Sequence, residues 1–157
     1  MNMRVIAVGL SAVALAAPAG SSAGRATAAK SFQVSATMTP KQVVTPKNKK
    51  WPVPSGVKNG KGTFSGTVSS DGRKLSWKIS YSGVGNPKLA IADIHYGKRG
   101  QFGPILVRLC GPCHSPQSGV AKLKKGVSAQ FKSGNTWVTI ITDRYPNGVI
   151  RGQIHAT

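Results

Sequence analysis

The sequence predicts an all-β domain, a Greek-key sandwich or barrel of about eight strands. Three observations predict it. Apolar and polar residues alternate with a two-residue period in several short runs. Turn-forming residues punctuate the chain between those runs. Beyond residue 28 no stretch sustains the 3.6-residue period of a helix face.

The elements follow in order. Phe32, Val34, Ala36 and Met38 share one face of a strand expected near 31–39. The next segment, 40–61, carries Pro40, Pro46, Pro52 and Pro54, and proline lacks the N–H that a ladder or helix needs. A long, mobile, lysine-rich loop is expected there, with Trp51 folding back as its apolar anchor. Strands near 62–69 and 74–82 flank the turn pair Asp71-Gly72, the second marked by Leu75, Trp77, Ile79 and Tyr81. The VGNP turn at 84–87 precedes a strand near 88–95, and the Gly97–Gly100 loop separates it from one near 104–110. Gly111-Pro112 ends that strand. Val127, Ala129 and Phe131 repeat the two-residue period, giving a strand near 126–132; Gly134-Asn135 turns the chain into a strand near 136–142. Pro146 to Gly148 reads as a turn before a last strand near 148–155. No internal repeat is visible, so one unit is expected.

The chain opens with MNMR, an apolar run from Val5 to Ala17 and two A-x-A sites ending at Ala19 and Ala28, the three-part pattern of a secretory signal peptide over residues 1–28. The apolar run is shorter than the roughly 20 residues a bilayer core requires, so a cleaved leader is expected rather than an anchor. The mature chain would begin near Ala29, or near Gly20, and would not be an integral membrane protein.

Charge is the next constraint. There are 22 Lys and Arg against three acids, for a net charge of +19, with no Glu. Such a field draws polyanions and is screened by salt. Lys41, Lys47, Lys49, Lys50, Lys58 and Lys61 crowd the proline-rich segment and are the expected contacts for an anionic envelope polymer, without specific nucleic-acid recognition. The alternative is that the charge only keeps an exported protein soluble. With Asp71, Asp93 and Asp143 the only acids, a paired-carboxylate glycosidase is nearly excluded. No G-x-S-x-G, P-loop or zinc-protease motif is present, and no catalytic residue is assigned.

Two stretches of the C-terminal half carry a resemblance. Ala92, Ile94, His95 and Gly97 fit A-H-I-H-x-G; Gly103, Pro104, Val107 and Leu109 fit G-P-hydrophobic-V-x-L. Trp137, Val138 and Thr142 stand in the place of Y-V-N-V-H-T, and Pro146, Gly148, Ile150, Arg151, Gly152 and Gln153 fit the closing N-P-x-G and I-R-G-Q. Together these resemble the CHRD (chordin) domain, over roughly residues 31–157. The resemblance implies an exported β domain; with no catalytic constellation in the chain, a non-enzymatic role and no cofactor are expected. Asp93 replaces the first histidine of H-I-H and Ile141 that of V-H-T, so no activity resting on those imidazoles is implied. Arg151 and Gln153, flanking a glycine, are expected to satisfy loop carbonyls.

Cys110-Gly111-Pro112-Cys113-His114 fits three chemistries: a thioredoxin-type redox pair, c-type haem attachment, or a local disulfide. The redox motif needs a βαβ frame that is missing here, and small c-type cytochromes are helical. An oxidising exterior and an even cysteine count favour the disulfide. The rival class remains a metal- or haem-binding redox protein using Cys110, Cys113, His114 and His95, with Asp93, His95 and His114 as weak metal candidates. A hydrogen-bonded His95 at the base of the Gly97–Gly100 loop is the simpler expectation.

Overall fold

The computed structural model describes residues 29–157; the expected leader, 1–28, lies outside them. The strands are β1 (Phe32–Met38), β2 (Lys61–Val68), β3 (Lys74–Ser82), β4 (Ala90–Tyr96), β5 (Ile105–Cys110), β6 (Gln117–Lys122), β7 (Thr136–Thr142), β8 (Tyr145–Gln153) and β9 (His155–Ala156), with one helix, α1 (Val127–Lys132). They form two antiparallel sheets, β6-β3-β2-β1-β9 and β5-β4-β7-β8. The architecture is a sandwich, with β4 and β5 a hairpin in one sheet while β6 returns to the other beside β3, a Greek-key connection.

The two-residue period does the sorting. Val34, Met38, Phe64, Leu75 and Ile79 point inward from the first sheet and meet Ala92, Ile94, Val138, Ile140 and Ile150 from the second. Each fully buried large apolar side chain contributes about 1.5–3 kcal/mol relative to exposure. At the β2–β3 turn Gly72 has φ +68°, a left-handed value suited to glycine. Beside it Asp71 accepts from the Ser69 hydroxyl at 2.5 Å and the Arg73 amide at 3.0 Å. Those bonds hold its carboxyl below the ordinary range. Among the described residues no helix is long and apolar enough to cross a membrane.

Four expectations are corrected. Residues 127–132 form a helix, because Val127 and Phe131 lie four apart and both are buried while Ala129 is exposed. Gly126 and Gly134, with φ +89° and +68°, bracket it. Strand β6 was not foreseen: it is an edge strand of alternating half-exposed and exposed residues, and Trp77 lies over Gly119, where a Cβ would come within 2.8 Å of the indole. The turn before β8 is Asp143-Arg144, closed by the Thr142–Tyr145 pair, so Pro146 to Gly148 lie inside the strand. After Ile154 the chain crosses to the first sheet as β9.

The proline-rich segment carries local structure of its own. It contains two short 3-10 turns, Pro40–Gln42 and Ser55–Val57, and a Val44–Lys50 bridge. Val43, Val44 and Val57 are buried within it, and Lys61 already belongs to β2. Trp51 is half-buried and packs edge-on against Tyr145, centroids 5.4 Å apart.

Candidate functional site

In the second sheet β7 lies between β4 and β8. The register therefore sets His95, Trp137 and Gln153 in one row across the sheet, and Asp93, Thr139 and Arg151 in the next. By alternation with Ile94, Val138 and Ile150, these side chains lie on the face away from the core. They are nevertheless buried: Asp93, His95, Trp137, Arg151 and Gln153 are between 0 and 8% exposed. Two segments cover them. Thr39, entering the first 3-10 turn, bridges to Arg151, and the loop after β4 folds back over the rows.

The indole of Trp137 is the centre of this outer layer. The His95 ring stacks on it at 4.1 Å with planes 10° apart, and the Arg151 guanidinium carbon lies 3.8 Å from the indole ring centroid. Two groups at such distances cannot share a face, so histidine and guanidinium sandwich the indole. The arrangement is cation–π attraction on one side and offset aromatic packing on the other. Polar tips then hold the β4–β5 loop and the turn before β7 by their carbonyls. Trp137 Nε1 donates to Tyr96 O at 3.2 Å, Arg151 Nη2 to Lys98 O at 3.2 Å, and Gln153 Nε2 to Gly97 O at 3.1 Å and Gly134 O at 2.7 Å.

His95 Nδ1 lies 2.8 Å from Gly103 O, and a carbonyl only accepts, so that nitrogen carries the hydrogen. Burial pushes the imidazole below its ordinary 6.5, opposed by the Gly103 bond and by Asp93. The folded state thus binds fewer protons than the unfolded chain as pH falls below 6.5, and stability is lost through that window until the folded imidazole itself protonates. The thermal midpoint is expected to drop between about pH 7 and 5, with a shallower slope in His95→Gln. Identical slopes in the two proteins would contradict a neutral, buried His95.

The weak metal candidates do not converge. Asp93 is wholly buried and takes both acidic oxygens to Arg108, with Nε at 2.8 Å and Nη2 at 3.2 Å. His95 is held by Gly103 and Trp137, while His114 is exposed, its backbone N–H donating to Gln117 Oε1. Among the described residues no three His, Cys, Asp or Glu side chains group as a metal site. Cys110 and Cys113 are bonded to each other, so in this form their sulfurs are not free for a porphyrin or a metal. The disulfide loop is tied in twice more: Cys113 N–H donates to Ala90 O at 2.8 Å and Tyr81 Oη to Cys113 O at 2.9 Å. The intact mass is expected to fall two hydrogens below the reduced value. Replacing both cysteines with serine should cost about 2 kcal/mol, the loop-entropy value for so short a ring. Free thiols in the purified protein would contradict this pairing.

The six lysines of the proline-rich segment are all exposed but do not make one patch. Lys41 and Lys50 line a cavity with Arg99, whereas Lys61 lines a separate groove with Thr37 and Tyr81. Lys47 and Lys49 sit in the tight turn closed by Thr45 N–H to Lys49 O, and Lys58 follows the second 3-10 turn. Arg99, Arg108 and the role of Trp137 were not evident from sequence. The only signal for Trp137 was its place in the family motif, and nothing marked the two arginines.

A family model described as the CHRD domain matches residues 34–154. Comparison with curated proteins finds no match, and comparison with solved structures finds none. The match spans both sheets and every residue of the outer layer.

Proposed function

The chain belongs to the CHRD domain family, and on that premise we propose that it acts outside a bacterial cell as a non-enzymatic module that binds anionic envelope polymers. The observation that carries this reading is uncompensated positive charge on the folded surface. Of three acids, Asp93 is buried against Arg108, the only ion pair among the described residues, leaving Asp71 and Asp143 exposed among many lysines and arginines. A leader with two A-x-A sites and the Cys110–Cys113 disulfide support export to an oxidising exterior.

The test begins with the extracellular fraction, where N-terminal sequencing is expected to find a chain starting near Ala29 or Gly20. That protein should be retained on immobilised heparin or teichoic acid, with affinity falling steeply as salt rises. Changing Lys47, Lys49 and Lys50 together to Gln should lower the logarithmic salt slope by about 2–3, roughly one unit per lost phosphate-type contact. Retention insensitive to salt and to the triple change would mean the charge serves solubility alone.

A further inference from the structure

Three residues of the outer layer keep a polar atom without a partner, His95 at Nε2, Arg151 and Gln153, and the last two line one cavity. Arg151, 2% exposed, spends Nη2 on Lys98 O, yet its Nη1 has no acceptor among the described residues. The one acid on this face, Asp93, is already committed to Arg108. Gln153, 8% exposed, donates from Nε2 to two carbonyls, which sets the amide's orientation and leaves Oε1 with no donor. A buried donor and a buried acceptor left unmade each carry a desolvation penalty, and they stand two residues apart on one face of β8. Burial lowers the Arg151 guanidinium to about 10, far enough above neutrality that it remains a cation.

Both residues line the same cavity, about 190 Å³ in volume, whose rim carries Lys41, Lys50 and Arg99. Four cationic side chains and no carboxylate surround it. At roughly 30 Å³ per water molecule it has room for one small polar unit. The pairing of a cationic donor with a neutral acceptor also separates it from a simple anion trap, since a bare anion has nothing to give Gln153 Oε1.

We propose that this cavity binds an oxyanion bearing a neighbouring hydroxyl, the oxyanion accepting from Arg151 and the hydroxyl donating to Gln153, with Lys41, Lys50 and Arg99 supplying the attracting charge. This rests on the polymer reading and names its repeating unit: the same chemistry belongs to a uronic acid and to a polyol phosphate. The stacked Trp137 reports occupancy, because a ligand on Arg151 alters the field on the indole.

The experiment titrates the mature protein with glucuronate and with glycerol phosphate, following the Trp137 indole N–H and Arg151 side-chain resonances, with acetate and sulfate as hydroxyl-free probes. Saturable shifts at both groups are expected, with acetate and sulfate at least about tenfold weaker, the worth of one hydrogen bond to a buried acceptor. Whichever of the two hydroxylated probes binds tighter identifies a uronate or a phosphate source. Lys50→Ala with Arg99→Ala, both exposed rim positions, should weaken binding a further tenfold or so, while Lys74→Ala on the other sheet should not. No saturation by any probe, equal binding of acetate and sulfate, or indifference to the rim variants would overturn the cavity assignment. Polymer retention persisting without small-ligand binding sinks this inference alone; small-ligand binding without polymer retention sinks the polymer reading and leaves the cavity standing.

Discussion

Trp137→Ala is expected to destabilise the domain by about 3–5 kcal/mol, near the upper end for a single core truncation. The indole is 1% exposed, and its removal opens a void between the His95 ring and the Arg151 guanidinium that rest on its two faces. Arg151 would lose its aromatic face while remaining buried, and Tyr96 O would lose its donor. Trp137→Phe separates these contributions: it keeps a ring between His95 and Arg151 but deletes the Nε1 bond, for a smaller cost of about 1 kcal/mol plus imperfect packing. Urea denaturation of both variants, compared at unchanged slope, measures the difference. A Trp137→Ala cost below about 1 kcal/mol would mean that the outer layer is not packed as described.

Gly152→Ala is expected to be of comparable severity, about 3 kcal/mol or more, although it adds only a methyl group. An added Cβ would lie 2.5 Å from Thr37 O and 2.9 Å from Thr37 C, backbone atoms at the end of β1 that no rotamer change can move. The sheets close on each other at this point, where Thr39 and Arg151 exchange backbone hydrogen bonds at 2.9 and 3.1 Å. Relief would require displacing β8, and with it Arg151 and Gln153 on either side. Loss of stability and loss of small-ligand binding should therefore appear together. Gly56→Ala is the control: its Cβ would meet nothing within 4 Å, and its cost should stay within about 0.5 kcal/mol. Equal stability of the two variants would show that the close approach is absent in solution.

Much of the fold was legible because one face of each central strand is apolar. The alternations in 32–38 and 75–81 can satisfy only a half-buried strand, and the structure places β1 and β3 there. The closing cysteine pair was legible from spacing and compartment, with the bond itself seen only in the structure. Failures fell where local pattern was degenerate. Val127 to Phe131 fits periods of two and four equally over five residues, and only burial of positions 127 and 131 with exposure of 129 decides for a helix. Strand β6 has no buried stripe of its own; it exists because β3 offers an unpaired edge and Trp77 covers Gly119.

The candidate site shows the same division. By itself the sequence determined the all-β class, the strand periodicity, the overwhelming positive charge and the family motifs at 92–97 and 150–153, since each is written in neighbouring residues. What joins His95 to Trp137 and Trp137 to Arg151 is the β4-β7-β8 order, and pairings across about 40 residues follow from how two sheets close, not from local propensity. Only the tertiary structure turned an outward-facing row of polar residues into a buried layer, by folding two loops over it, and so left Arg151 and Gln153 with one unmet hydrogen bond each beside a cationic cavity.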